Sequence, residues 1–288
     1  MTEEIRDRLV GRRVVASVSG GKDSAAMSLW LTENGIEHDR VFLNTGWEND
    51  RTYEYVRGEL VRALGPILEL RAERLMTDLV RKKGMFPSRL RRFCTEELKV
   101  RPMQEYLRGR DDDVVNAVGI RRAESRVRAQ MIEWEWSDAF DSETWRPILD
   151  WSEQDVIEIH RRHGLRPNPL YLAGATRVGC WPCIFARKAE IRLIADTDPI
   201  RIDELRRLEA DVAEAARARA SARGEELANG PTWFQARLGP GGACWPIDKV
   251  VAWSRTARGG RQLELFAASP AEAGCVRWGL CDTNDTAA

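Results

Sequence analysis

Histidine is scarce in this chain, at three residues in 288. That argues against a catalytic metal centre built on several imidazoles. Net charge is absent, with 45 Lys and Arg set against 45 Asp and Glu. A bulk polybasic nucleic-acid binder is thereby excluded, though a local basic site is not. No apolar run approaches the ~18 residues of a membrane span. The start, Met1-Thr2-Glu3-Glu4-Ile5-Arg6, is charged and lacks the apolar core of a signal peptide. No repeat with a period of roughly 20–50 residues and no low-complexity segment is visible. The expectation is a soluble, cytoplasmic, globular protein with one large domain or two modest ones, at ~100–200 residues each. A chain of this size buries enough surface to fold without disulfides. In that compartment its six cysteines point to metal or redox chemistry.

The first segment reads as strand, loop, helix. Val14-Val15-Ala16-Ser17-Val18 is a β-branched run suited to a buried strand, and residues 25–31 have helix-forming composition. Asn34-Gly35 ends that helix, and Val41-Phe42-Leu43 is the next strand. This βαβ spacing implies a parallel sheet. Helices are predicted over 52–63 and 75–83, and strands over 66–70 and 114–119. Trp145-Arg146-Pro147-Ile148-Leu149 is predicted as an edge strand, because proline is poorly tolerated inside a sheet. Ser152 is expected to cap a helix over 153–163. After about residue 170 the texture changes to a Gly-rich loop, then alanine-rich helices over 186–224 broken at Asp198-Pro199. The expected organisation is an α/β domain over 1–175 and a helical, irregular, cysteine-bearing region over 176–288 packed on it.

Between the first strand and helix lies Ser19-Gly20-Gly21-Lys22-Asp23-Ser24. Paired glycines let several backbone N–H groups turn onto one point. The helix start adds partial positive charge and Lys22 a full one. Ser19 and Ser24 add hydroxyl donors. Asp23 fits beside a phosphate if it caps the helix or holds Mg²⁺. The spacing is not that of a Walker A loop.

The hexapeptide resembles the pyrophosphate loop (PP-loop) of the N-type ATP pyrophosphatases and the phosphoadenosine phosphosulfate reductase family. Further segments resemble that family in order: Asn44-Thr45-Gly46-Trp47-Glu48, Phe93-Cys94 through Lys99 to Pro102, Gly119-Ile120-Arg121-Arg122-Ala123-Glu124-Ser125, Pro147-Ile148-Leu149-Asp150-Trp151 with Asp155-Val156, and Asn168-Pro169-Leu170-Tyr171. The resemblance implies a parallel twisted sheet with helices on both faces, of the adenine nucleotide alpha-hydrolase-like kind. It implies an adenine nucleotide held by Ser19, Gly20, Gly21, Lys22, Asp23 and Ser24, with Thr45, Gly46, Arg121 and Arg122 joining them. Lys22 and Asp23 are the implied catalytic residues of the loop. The intact loop favours ATP, with Mg²⁺, over a nucleotide lacking a pyrophosphate.

The cysteines are Cys94, Cys180, Cys183, Cys244, Cys275 and Cys281. Cys180-Trp181-Pro182-Cys183 has a spacing that lets two thiolates share a metal centre, and structural zinc and iron–sulfur compete as readings. A thioredoxin-like redox pair does not belong in so late a Gly-rich loop. The family resemblance favours a [4Fe–4S] cluster, since its adenylylsulfate reductases ligate one from a Cys-Cys pair and a later Cys-x-x-Cys. This chain matches at Cys94, Cys180 and Cys183 and departs at Phe93. The fourth ligand then comes from Cys275 or Cys281. Cys275 is assigned to the cluster and Cys281 to sulfur-carrying or redox chemistry. Cys244 reads as a small packing residue.

Residues 81–101 carry Arg81, Lys82, Lys83, Arg89, Arg91, Arg92, Lys99 and Arg101 against Glu96 and Glu97, a local positive field or a solvated helical face. Among eleven tryptophans, Trp134, Trp136, Trp145 and Trp151 are candidates for the core, and Trp233, Trp245, Trp253 and Trp278 for packing the sulfur site. Three functions fit. The first is ATP-dependent sulfur transfer to an acceptor such as nucleic acid. The second is reduction of adenylyl sulfate or its 3′-phosphate to sulfite. The third is a non-catalytic nucleotide- and cluster-binding sensor. The implied partners are an adenine nucleotide, a sulfur-donor protein or thiol reductant and a nucleic-acid acceptor, with no membrane and with self-association open.

Overall fold

The structure, a computed structural model, describes residues 2–110, 113–227, 229–235, 244–256 and 278. After helix α1 (Glu3–Leu9), strand β1 (Arg13–Ser17) runs into α2 (Lys22–Glu33) and returns as β2 (His38–Asn44). Val14, Val15 and Ala16 are at most 1% exposed, so β1 is covered on both faces, which is why it reads as a continuous apolar run. A continuous helical path follows, α3 (Asp50–Tyr55) to α4 (Val61–Leu64), then β3 (Leu68–Arg71) and α5 (Met76–Lys83). Next come α6 (Phe93–Thr95), α7 (Arg101–Arg108) and β4 (Val114–Val118), then β5 (Trp134–Ser137) and β6 (Ser142–Trp145). The helices α8 (Glu153–Arg162), α9 (Pro169–Leu172), α10 (Lys188–Thr197), α11 (Pro199–Ser221) and α12 (Ile247–Ser254) complete the described elements.

The sheet has six strands in the order β3-β2-β1-β4-β6-β5. All neighbours are parallel except β5 and β6. Chain order reverses between β1 and β4, and in open α/β sheets ligands bind at such a switch point, beyond the carboxyl ends of the strands.

One expectation is corrected here. The strand predicted over 145–149 is Ser142–Trp145, and it lies inside the sheet between β4 and β5. Pro147 falls beyond its end, so it breaks no ladder. The edge is β5, whose Trp134 stacks on the buried Trp145 at 4.9 Å. Trp136, expected in the core, is 58% exposed: it lies on the same face of this edge strand as Trp134 but opposite Glu143, not the buried Trp145.

Helices cover both faces. On one side α2 and α8 bury Ala25, Leu29, Val156 and Ile159 with Val18 and Phe42. Ser152 caps α8 as expected, accepting from the Asp155 N–H at 3.2 Å while Asp155 accepts from the Ser152 N–H at 2.7 Å. The predicted break at Asp198-Pro199 is the junction of α10 and α11, where Asp198 caps α11. One apolar cluster is shared by the two parts of the chain: Trp47, Met76, Val80, Phe86 and Leu98 pack with Ile194, Leu205, Leu208, Val212 and Trp233. Among the described residues, no helix is long and apolar enough to cross a membrane.

Candidate nucleotide and thiol site

The Ser19–Ser24 loop leaves β1 at the switch point and opens α2. Gly20 has φ +76°, and a Cβ there would meet Val56 at 2.9 Å and Thr52 at 3.0 Å. Gly21 is the N-cap of α2 and offers no side chain to its free N–H groups. Those first-turn groups have no intrahelical acceptor and carry the positive end of the helix dipole. Inside the loop, the Ser19 N–H donates to Ser24 Oγ at 3.0 Å, and Ser24 Oγ donates to the Gly21 carbonyl at 3.0 Å.

Distant segments hold this loop in place. Asn168 Nδ2 donates to the Gly20 carbonyl at 3.2 Å. The Lys22 N–H donates to Tyr171 Oη at 3.2 Å, and Lys22 Nζ stands 5.4 Å from the centre of the Tyr171 ring. His160 Nε2 lies 2.9 Å from the Lys22 carbonyl, and burial lowers the pKa of its imidazole, keeping it neutral. Gly119 lies against the start of α2, where a Cβ would come within 2.7 Å of the Asp23 carbonyl and the Ser24 Cα.

Asp23 does not cap α2. Its carboxylate pairs with Arg121 Nε on one side and with Lys22 Nζ, at 3.2 Å, on the other. Arg121 is 4% exposed, and its N–H donates to Glu124 Oε2 at 2.8 Å, which fixes the turn after β4. The structure therefore brings Arg121 to the loop. It does not bring Arg122 there: that guanidinium pairs with Asp150 at 2.5 Å and bonds to the carbonyls of Ala129 and Met131.

Thr45 and Gly46 form the turn after β2, at the same end of the sheet. Gly46 has φ +68° and fits against Leu75, where a Cβ would come within 2.7 Å. Glu48, 2% exposed, holds the turn closed. It accepts from Thr45 Oγ1 at 2.7 Å and from Tyr53 Oη at 2.6 Å. Burial is the main cause pushing the Tyr53 hydroxyl pKa up.

The thiols lie beside this turn. Glu48 and Cys180 form an isolated antiparallel bridge, and the Trp181 N–H donates to the Trp47 carbonyl at 2.7 Å. Cys180 Sγ is 3.9 Å from Thr45 Oγ1. Trp47 Nε1 donates to the Pro182 carbonyl at 3.1 Å, and Trp233 packs behind it at 4.9 Å. Cys94, Cys180 and Cys183 share an electrostatic neighbourhood with Lys99 and Glu48. Burial works against the Lys99 ammonium, yet the thiols and Glu48 outweigh it and hold its pKa above the ordinary value. Burial pushes the Cys180 thiol up to about 11, with Lys99 pulling the other way. Arg177 pairs with Glu190 at 2.9 Å and reaches the Cys183 thiol.

A [4Fe–4S] cluster takes four thiolates. Cys94, Cys180 and Cys183 are the right donors in kind, beside the half-buried Lys99 ammonium that would offset their charge. Among the described residues, however, no group of three or more His, Cys, Asp or Glu side chains stands ready to hold a metal ion. Cys275 and Cys281 lie outside the described residues. Cys244 is half-buried. Trp278, expected near the sulfur, packs instead on Ile157, Tyr171 and His160, behind the glycine loop.

Several residues of the site escaped assignment from sequence. Glu48, Lys99, Asn168 and Tyr171 sit inside recognised segments, but their roles depend on partners far along the chain. His160 had one weak signal, its place on the apolar face of α8 with Val156 and Ile159.

Residues 13–186 match the phosphoadenosine phosphosulfate reductase domain family. An uncharacterized 37.8 kDa protein of Escherichia phage 186 is 32% identical over 93% of this chain and 96% of its own length. The adenosine 5'-phosphosulfate reductase of Allochromatium vinosum is 34% identical over 32% of this chain and 35% of its own length. A phosphoadenylyl-sulfate reductase of Candida auris, solved as a phosphate complex, superposes with a TM-score of 0.49 at 18% identity, covering 62% of this chain and 87% of that one.

Proposed function

The chain belongs to the phosphoadenosine phosphosulfate reductase family, and from that premise we propose that it is an ATP-using sulfur transferase. The observation that carries the reading is a juxtaposition. An intact anion loop and three thiols open at the same end of the sheet, joined by one segment. That segment passes Gly21 at Tyr171 and Val178 and reaches Thr45 at Cys180.

In this reading the N–H groups at the start of α2, with Ser19, Gly20, Gly21 and Ser24, cradle the phosphates. Lys22 and Arg121 leave Asp23 to meet the nucleotide's charge, and Asp23 becomes the loop's own carboxylate for Mg²⁺. Thr45 and Gly46 border the nucleotide, and Arg122 steadies the turn that carries Arg121. An acceptor oxygen attacks the α-phosphorus of ATP and pyrophosphate leaves. Cys281 takes sulfane sulfur from a persulfide on the sulfur-donor protein, whose thiolate leaves; the Cys281 persulfide then displaces AMP, forming a mixed disulfide with the acceptor. A thiol from the reductant takes Cys281 into a new disulfide and frees the thiolated acceptor. Cys94, Cys180, Cys183 and Cys275 would hold a [4Fe–4S] cluster, which supplies a charged, redox-active sulfur centre next to the nucleotide. The acceptor in this reading is a nucleic acid.

The local identity to adenosine 5'-phosphosulfate reductases favours a second reading, release of sulfite from a sulfonucleotide. Anaerobically purified protein, with its iron counted, separates the two. ATP-dependent pyrophosphate release that disappears in Lys22→Ala supports the transferase. Sulfite release from adenylyl sulfate with a thiol reductant, without pyrophosphate release from ATP, replaces it with the reductase. Tight ATP binding with neither product leaves the sensor.

A further inference from the structure

The segments that carry the thiols also build the walls of a second cleft. Ile184 and Phe185 follow Cys183 directly, and the Ala186 N–H donates to the Cys183 carbonyl at 2.8 Å, keeping that turn tight. Arg89 to Arg92 precede Cys94, and Arg92 reaches Thr95 Oγ1 at 3.1 Å. Between these strips and α12 lies a cleft of about 740 Å³. Its walls include Phe185, Phe234 and Trp253, aromatic rings from three separate parts of the chain.

Cations ring these aromatics. The guanidinium groups of Arg89 and Arg92 stand 6.0 and 5.5 Å from the centre of the Phe185 ring. Lys188 Nζ stands 5.0 Å from the centre of the Trp253 ring. The basic segment divides here. Arg81, Lys83 and Arg101 pair with Asp211 and Glu97. Among the described residues, Arg89, Arg91 and Arg92 form no ion pair. Among the described residues, none of those lining the cleft carries a carboxylate.

We propose that this cleft holds bases of a single-stranded nucleic acid, with Arg89, Arg91 and Arg92 tracking its phosphates. Bases stack on aromatic rings and on guanidinium planes, and unpaired cations along the rim meet the backbone. The volume suits one or two unstacked bases and excludes a duplex, whose bases stay inside the stack. Arg89 and Arg92 share the Phe185 ring while Lys188 stands on Trp253, so positive charge is spread over two rings, which favours a strand over a free mononucleotide. The inference deepens the transferase reading and rests on it: the strand would be the acceptor, delivered beside Cys94 and Cys183.

The test is fluorescence anisotropy on the full-length protein with a labelled single strand of about 12 nucleotides, oligo-dT or oligo-rU. The same-length duplex, AMP and a poly-glutamate peptide serve as competitors, and ATP binding is followed separately. The strand is expected to bind about tenfold more tightly than any competitor. Arg89→Ala with Arg92→Ala should weaken it about tenfold and lower the salt slope by roughly 0.7 per arginine, with ATP binding retained. Phe185→Leu, which keeps the apolar volume, should weaken the strand while leaving the salt slope unchanged. Equal binding of duplex, AMP or poly-glutamate overturns the proposal, as does unchanged strand binding in these variants. A protein that binds ATP but no strand overturns it while leaving the ATP site intact. Strand binding without pyrophosphate release supports the cleft and removes the transferase reading.

Discussion

At Gly119 the demand on a single residue is steric. The start of α2 crosses so close that one methyl group would press on the Asp23 carbonyl and the Ser24 Cα, each at 2.7 Å. Neither is the far end of a flexible side chain, so the loop itself must move. Gly119→Ala is expected to cost about 1–3 kcal/mol in urea unfolding and to weaken ATP binding at least as much as Asn168→Ala, which leaves Gly20 in place but removes one hydrogen bond to it. His38 makes a different kind of prediction. Burial, its leading cause, brings its imidazole down to about 4 from 6.5. The unfolded chain binds that proton first, so the stability it contributes is complete above pH 6.5 and is lost as pH falls towards 4. His160 is shifted in the same direction. Urea midpoints should fall between pH 6.5 and 4.5, by on the order of 2 kcal/mol in stability, and His38→Gln should flatten that slope. An unchanged slope in the variant would assign the effect elsewhere.

Among the elements, α8 connects local sequence to the site most directly. Its first turn is closed by Ser152 and Asp155, and its buried face presents His160 to the Lys22 carbonyl. Ser152→Ala should cost about 1 kcal/mol, read by thermal or urea unfolding. The glycine loop's anchor at Lys22 should loosen with it, seen as faster amide exchange at the start of α2 than in an exposed-surface control. The capping signature, the helix period and the proline break before α11 were all legible, because each depends on neighbours within a turn. The edge was not. Pro147 looked like an edge-strand marker, but β6 stops at Trp145 and β5, a short strand with two tryptophans, takes the outside position. Pairing between strands is non-local, so alternation alone could not rank them. Arg121 and Arg122 make the same point within one motif. They are adjacent and chemically identical, yet one turns to Asp23 and the other to Asp150.

Across the whole molecule, α10 to α12 cover an apolar surface shared with the loops that carry the thiols. Glu209 on α11 is the clasp. Its carboxylate accepts from the Trp233 N–H and from the Ile247 N–H, each at 2.9 Å. Burial is the main cause raising its pKa, so these bonds hold a charge the surroundings disfavour. Glu209→Ala leaves two buried N–H groups without that acceptor and should cost about 2–3 kcal/mol. Tryptophan fluorescence should redden in the variant as Trp47 and Trp233 gain water. Far-ultraviolet and tryptophan signals of the unaltered protein should unfold together, because the shared core couples the two parts. Separate transitions would show that the region after residue 175 folds by itself.

The sequence alone determined the parallel α/β architecture and the glycine loop at the end of its first strand. Both follow from local rules: β-branched runs and a glycine pair at a helix start. Only the tertiary structure decided which of these residues meet. It set Asp23 against Arg121, placed Lys99 and Glu48 among the cysteines, put His160 and Tyr171 under Lys22, and opened an arginine-rimmed aromatic cleft beside the thiols. Those contacts join segments as far as 149 residues apart, as Lys22 and Tyr171 are. Their partners are chosen by sheet order and helix packing, which no local pattern specifies.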